Sequence, residues 1–220
     1  MISLKKSVVV FDVDGTMLSS FPLLVHCIAD VLRKYPNKIT KPEDIASYYG
    51  PDEKGMFRKL LNDPGLADRA FADYLEEYAA LHQQFIPRPI DGIGELLREL
   101  RNRRTLRLGI VTGRSQESLD ISLNALNLGR FFENIQTGSA KGVNKPESMR
   151  KLIAAFGVSR SEVIYVGDTA GDVRSMRAVG VPPGSVLYDP PHNKDEPLAL
   201  KRGKAVRAVA ALRELPAKDQ

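Results

Sequence analysis

The 220-residue chain contains one cysteine, Cys27, so no disulfide can form within it and a reducing cytoplasm is the expected setting. No apolar run approaches the ~20 residues that a membrane-spanning helix needs, so no membrane partner is expected. The opening stretch lacks the layout of a secretory signal, because apolar residues 8–11 are too few and carboxylates follow at once. There is no internal repeat and no low-complexity tract. With 43% hydrophobic and 27% charged residues, disorder and collagen-like architecture are excluded as well. Charge of one sign is not spread over the chain either. The net +5 arises from five arginines against Glu99 in residues 98–107, and from six basic against two acidic residues in 201–220. The remainder is net negative. No aromatic residues interleave with these patches to make a stacking platform for bases, so no nucleic-acid partner is expected. The patches read instead as a solvated helix end and a basic tail.

A chain of this length holds one large domain, or one domain carrying an insert. Residues 7–11 are an unbroken valine-rich run, the pattern of a strand covered on both faces in a parallel sheet. Residues 21–85 contain no good strand. Helical spacing over 21–35, 41–49, 54–61 and 66–85 is broken by Gly50-Pro51 and by Asp63-Pro64-Gly65. From residue 91 strands and helices alternate: helix 91–104, strand 106–111, helix 115–126, strand 131–137, helix 146–156, strand 163–166, helix 171–179 and strand 186–188, with a terminal helix over 198–215. This order predicts an α/β fold, a doubly wound and mostly parallel sheet of Rossmann-like type. Residues 1–20 and 86–220 form that core, and 21–85 form an inserted all-helical unit. The insert leaves from the carboxyl end of the first strand, beside the place where ligands bind in such sheets.

Four polar clusters each follow a predicted strand or open a helix. Asp12-Val13-Asp14-Gly15-Thr16 offers two carboxylates on one side of extended chain, or equally an Asx turn and cap. Thr112-Gly113-Arg114 offers a hydroxyl, an accessible N–H and a guanidinium, suited to an oxyanion or to a capped turn. Lys145-Pro146 places an ammonium at a helix start, over the strand ends or on the surface. Asp168 and Asp172 stand at a helix start, where acidic residues also stabilise the helix dipole. In a parallel sheet these clusters converge on one rim. Carboxylates gathered there repel one another unless a cation lies among them, and an all-oxygen set beside one lysine suggests Mg²⁺. A carboxylate nucleophile, a metal, a lysine and hydroxyl donors together suit phosphoryl transfer.

In this order the motifs resemble the haloacid dehalogenase (HAD) superfamily of phosphohydrolases over nearly the whole chain, and the insert is similar to the small helical cap of the phosphoglycolate phosphatase-like branch. The resemblance implies that Asp12 attacks phosphorus and that Asp14 protonates the leaving group, then deprotonates water. It implies that Thr112 and the Gly113 N–H hold the phosphoryl oxygens, that Arg114 joins them, and that Lys145 orients Asp12. Asp12, the Asp14 carbonyl, Asp168 and Asp172 would hold Mg²⁺, the last directly or through water. Dehalogenases of this superfamily lack the second aspartate, so Asp14 favours phosphate esters. In the cap, Tyr48, Tyr49, Gly50, Lys54 and Arg58 resemble the region that reaches over the site. Lys54 and Arg58 share one helix face and read either as a grip on an anionic substrate tail or as ordinary surface charge. His26, His82 and Cys27 read as structural. The resulting expectation is a cytoplasmic Mg²⁺-dependent phosphatase, monomeric or homodimeric, acting on a small phosphorylated metabolite. A sugar-phosphate mutase and a non-enzymatic phospho-accepting switch are the alternatives.

Overall fold

The computed structural model describes residues 6–36, 42–48, 50–182 and 186–188. Tyr49 and the expected helix over 198–215 lie outside them. All four residues of β1 (Val8–Phe11) are fully buried. The strand pairs in parallel with β2 (Arg107–Val111) on one side and β4 (Val163–Gly167) on the other. With β3 (Asn134–Gln136) and β5 (Val186–Tyr188) at the edges, the sheet is fully parallel in the order β3-β2-β1-β4-β5.

Side-chain alternation sorts the strands into two cores. Val9, Phe11, Leu108, Ile110, Ile164 and Val166 face one core, shared with α4 (Ile93–Asn102) and α5 (Gln116–Ala125). Val8, Val10, Val163 and Tyr165 face the other, shared with α6 (Lys145–Phe156) and α7 (Ala170–Val179). The sheet is thus doubly wound, and the chain changes direction across it between β1 and β4. Ligand crevices form at such a switch point, outside the carboxyl ends of the strands.

Between β1 and α4 the chain forms α1 (Phe21–Leu32), a 3₁₀ stretch (Pro42–Tyr48), α2 (Glu53–Leu61) and α3 (Pro64–Phe85). The α-helix expected over 41–49 is therefore 3₁₀. A short segment held between Pro42 and Gly50-Pro51 has little room for i→i+4 bonds. The strand expected over 131–137 is also shorter, because a 3₁₀ turn at Gly129–Phe131 directs Phe131 into the core first. Asp52 and Asp63 cap α2 and α3, accepting from Gly55 N–H at 2.9 Å and Leu66 N–H at 2.8 Å. Tyr74 and Tyr78 of α3 are fully buried, and Tyr78 Oη lies 3.0 Å from Ser122 Oγ on α5. The insert therefore shares its core with one face of the sheet.

Candidate active site

Asp12 extends β1, its N–H donating to the Val166 carbonyl at 2.8 Å. The chain then turns tightly, with the N–H groups of Thr16, Met17 and Leu18 converging on the Val13 carbonyl at 3.3, 2.8 and 2.9 Å. Gly15 permits this turn. Its φ is +76°, and a Cβ there would lie 2.2 Å from Asp168 Oδ2. Thr16 Oγ1 donates to Asp168 Oδ1 at 3.3 Å. The backbone itself thus presses the loop after β1 against the loop after β4.

Lys145 opens α6, with Pro146 in its first turn, where a missing N–H costs nothing. Its Nζ lies 2.9 Å from Asp12 Oδ2 and 2.6 Å from Asp172 Oδ1. Asp172 is buried, with every face of its carboxylate engaged. Tyr165 Oη donates to Oδ1 at 2.8 Å, and the Thr169 N–H and hydroxyl donate to Oδ2 at 3.0 and 2.5 Å. Burial would raise Asp172, yet the Lys145 ammonium holds it below the usual carboxylate range. Burial pushes Asp12 up to about 7; Lys145 opposes this, while Asp172, Asp14 and Asp168 add to it. Burial alone would lower Lys145, but Asp12 and Asp172 outweigh it and hold the ammonium charged.

Asp14 has different neighbours. Its Oδ1 accepts the Ser20 hydroxyl and lies 3.8 Å from Arg114 Nη1. Burial raises its pKa, with Arg114 and Ser20 opposing. Two aspartates two residues apart therefore sit in unlike surroundings, Asp12 against an ammonium and Asp14 against a hydroxyl and a guanidinium, while burial raises both. Such a division suits a nucleophile beside an acid.

A family model described as haloacid dehalogenase-like hydrolase matches residues 9–186, from β1 to the start of β5. The chain belongs to this family. It is an enzyme, a HAD-type phosphatase, and its curated relatives agree. It is 28% identical over 199 residues to the phosphoglycolate phosphatase of Thiobacillus denitrificans, covering 86% of each chain. It is 27% identical over 176 residues to the pyrophosphatase PpaX of Listeria monocytogenes, covering 78% of each. Among solved structures, CbbY from Rhodobacter sphaeroides in complex with phosphate superposes with a TM-score of 0.71 at 19% identity, over 89% of this chain and 91% of that one. The last likeness is one of fold.

The HAD hydrolase brings Asp12, Asp14, Gly113, Lys145, Asp168 and Asp172 to one cavity of about 1240 Å³, with Gly50 and Glu53 reaching it from the insert. Thr112 lies below its floor, fully buried, with Oγ1 accepting the Arg114 N–H at 3.3 Å. Two expected substrate contacts are placed otherwise. Arg114 borders the cavity, but its guanidinium turns toward α5 and the insert. Nε donates to Ser118 Oγ at 3.2 Å, Nη1 to Ser122 Oγ at 3.0 Å and Nη2 to the Ser118 carbonyl at 2.8 Å. Glu53 Oε1 is 3.6 Å away, and the Tyr78 ring centre lies 4.8 Å from the guanidinium carbon. Lys54 is not among the residues lining the cavity: with Arg58 it meets Asp68, each at 3.5 Å. Lys54→Ala is accordingly expected to leave kcat/KM within about twofold of the wild type in a phosphate-release assay, as surface ion pairs carry little energy. A larger loss would return Lys54 to the site.

The residue that does face inward is its neighbour Glu53, which sequence reasoning missed. It accepts from the Ser115 N–H and from Ser118 Oγ, both at 2.6 Å. Its signal was present, because Glu53, Met56, Phe57 and Leu60 recur at helical spacing and place a carboxylate on the apolar face of α2. Tyr165 and Ser20, which support Asp172 and Asp14, carried no such signal. His82 is buried, its Nε2 3.1 Å from Ser122 Oγ, and Cys27 is a buried thiol pushed up to about 12 by its surroundings. Of the arginine-rich stretch, Arg98 pairs with Glu95, while Arg101 and Arg107 pair with Glu133. No helix among the described residues is long and apolar enough to cross a membrane.

The donor chemistry of the rim fits a hard divalent cation. Carboxylate oxygens of Asp12, Asp168 and Asp172, all buried, lie within 4.8 Å of one another. One ammonium cannot neutralise three such carboxylates, and Asp12, raised first by burial, is raised further by Asp172, Asp14 and Asp168.

Proposed function

We propose that this HAD hydrolase is a Mg²⁺-dependent phosphatase that cleaves a small phosphomonoester, in the manner of phosphoglycolate phosphatases, through an aspartyl-phosphate on Asp12. The observation that carries the reading is Lys145 Nζ bridging Asp12 and Asp172 while Asp14 sits apart on Ser20 and Arg114. In the first step an oxygen of Asp12 attacks phosphorus and the ester P–O bond breaks. Asp14 gives its proton to the departing oxygen. In the second step Asp14 takes a proton from water as that water attacks phosphorus, and inorganic phosphate leaves with Asp12 restored. Lys145 holds Asp12 ionised and aimed, and Asp172 holds Lys145. The Gly113 N–H forms the side that receives the phosphoryl oxygens, and Thr112, buried beneath, supports that turn through the Arg114 N–H. Asp12, Asp168 and the Asp14 carbonyl would hold Mg²⁺, with Asp172, whose oxygens are engaged by Lys145, Tyr165 and Thr169, reaching it through water; the charge of the ion would offset that of the phosphoryl group. The buried thiol of Cys27 supports placing the enzyme in the cytoplasm. The test is phosphate release from a panel of phosphomonoesters with Mg²⁺ and with chelator, alongside product identification. Mg²⁺-dependent free phosphate supports the reading. An isomerised product without free phosphate would show a mutase, and phosphate retained on the protein for minutes a switch.

The raised pKa of Asp12 gives a prediction on metal removal. Between its ordinary value of 3.8 and about 7, the folded metal-free protein binds a proton that the unfolded chain does not. Its stability therefore falls as pH rises through that window, and Asp14, raised by burial, acts in the same direction. Mg²⁺ displaces that proton, so its apparent affinity should increase about tenfold per pH unit below 7 and level off above. Thermal denaturation at pH 5, 6 and 7, with and without Mg²⁺, measures this. A Mg²⁺-induced shift independent of pH would contradict it.

A further inference from the structure

The cavity over Asp12 has two unlike halves. Its floor is the polar rim already described. Its walls are apolar: half-buried Phe21, Phe85 and Ile90 and exposed Val143 line it, with Leu24, Ile28 and Met56 packed into the core behind them. Val143 is 72% exposed, the only large hydrophobic among the described residues that stands out in solvent, and Gly50 of the insert faces it across the opening. Charge is distributed in the opposite sense. Every cation among the described lining residues already has a carboxylate partner: Lys145 has Asp12 and Asp172, Arg114 has Glu53 and Asp14, and Arg88 has Asp91 at 3.2 Å. Lys54 and Arg58 are spent on Asp68. Among the described residues, the insert's charged contribution to the cavity is a carboxylate, Glu53.

Resting on the phosphatase reading above, we propose that the substrate is a phosphomonoester whose remaining part is uncharged and apolar, in contrast to phosphoglycolate or a sugar bisphosphate. A chain or ring of several carbons gains by leaving water for Phe21, Phe85 and Val143. A second carboxylate or phosphate in the same place loses hydration, finds Lys145 and Arg114 engaged by buried carboxylates and among the described lining residues only the exposed Arg88 beyond them, and faces Glu53 and the carboxylates of the floor. The volume of about 1240 Å³ also exceeds what a two-carbon acid fills.

The experiment compares kcat/KM for Mg²⁺-loaded enzyme on hexyl phosphate and 2-phosphoglycolate, both primary alkyl esters, so that leaving-group reactivity is similar. Hexyl phosphate is expected to be preferred by about tenfold or more. Val143→Lys, a change at an exposed position, should narrow that ratio about fivefold by favouring the anionic substrate. Phosphoglycolate used as well as or better than hexyl phosphate overturns the inference and leaves the phosphatase reading standing. A ratio unchanged in Val143→Lys likewise overturns the assignment of this wall to the substrate's apolar part. No phosphate released from any ester of the panel overturns both readings.

Discussion

Asp12→Asn is expected to lower phosphate release by about 10⁴-fold or more, the scale seen when a covalent nucleophile is removed, in a protein that folds at least as stably as the wild type. Both halves follow from the same surroundings. An amide in place of the carboxylate has no anionic oxygen to attack phosphorus, and no neighbour is placed to substitute: Asp172 is saturated by Lys145, Tyr165 and Thr169, and Asp14 is held by Ser20 and Arg114. The shape of the side chain is kept, so the turn through Gly15 and the contact with Lys145 can persist. At pH 8 the wild-type carboxylate is ionised against burial and against Asp172, Asp14 and Asp168, and the substitution removes that unfavourable charge. The metal-free variant should therefore melt at or above the wild-type temperature at pH 8, and its response to Mg²⁺ should shrink. Phosphate release, thermal denaturation with and without Mg²⁺, and intact-protein mass spectrometry after exposure to substrate measure all three. Residual turnover above about 1% of wild type would remove Asp12 from the nucleophile's role.

The rim was legible in the sequence because a parallel sheet performs the convergence. Once residues 7–11, 106–111 and 163–166 are read as buried parallel strands, Asp12, Thr112 and Asp168 must share an edge, whichever order the strands take. Lys145 was legible through Pro146, which fixes where its helix begins. The walls and the inner network were less so, because they depend on how a helix is rotated. On α2, Glu53 and Lys54 are adjacent, and about 100° of helix separates them. Packing of Met56, Phe57 and Leu60 against α3 decides that Glu53 turns inward and Lys54 meets Asp68. Arg114 shows a different limit. Following Thr112-Gly113, it reads as a phosphate ligand, and its local setting permits that. What draws it away is nonlocal: Ser118 and Ser122 one and two turns along α5, with Glu53 and Tyr78 arriving from the insert. No window of sequence contains all of those partners.

Arg114→Met is expected to be the most destabilising single change discussed, at about 3–5 kcal/mol, because it strands the buried Glu53 carboxylate and leaves half-buried Asp14 without its countercharge, rather than merely deleting a bond. Arg114 and Glu53 have side chains only 2% and 5% exposed, so solvent does little to screen their interaction. Without the guanidinium, Glu53 keeps its bonds from Ser115 and Ser118 but loses its countercharge, and Asp14 retains only the Ser20 hydroxyl of the partners described above. For a chain of this size the expected fall in Tm is about 10 °C. Glu53→Gln should cost less on its own, since it leaves Arg114 with Asp14, yet it forces an amide NH₂ toward the donors Ser115 N–H and Ser118 Oγ. The two changes touch one network, so the double variant should be less destabilised than the sum of the singles by about 1–3 kcal/mol. Strict additivity in chemical denaturation would show that Glu53 and Arg114 are independent. Turnover should fall in Arg114→Met as well. Arg114 opposes the burial that raises Asp14, and its loss leaves that carboxyl harder to ionise. A weaker acid is slower to deliver its proton to the departing oxygen, and once ionised it is the stronger base toward water. The loss should therefore appear in formation of the aspartyl-phosphate more than in its hydrolysis. Burst kinetics separate the two steps, and a variant slowed equally in both would refute this division of roles.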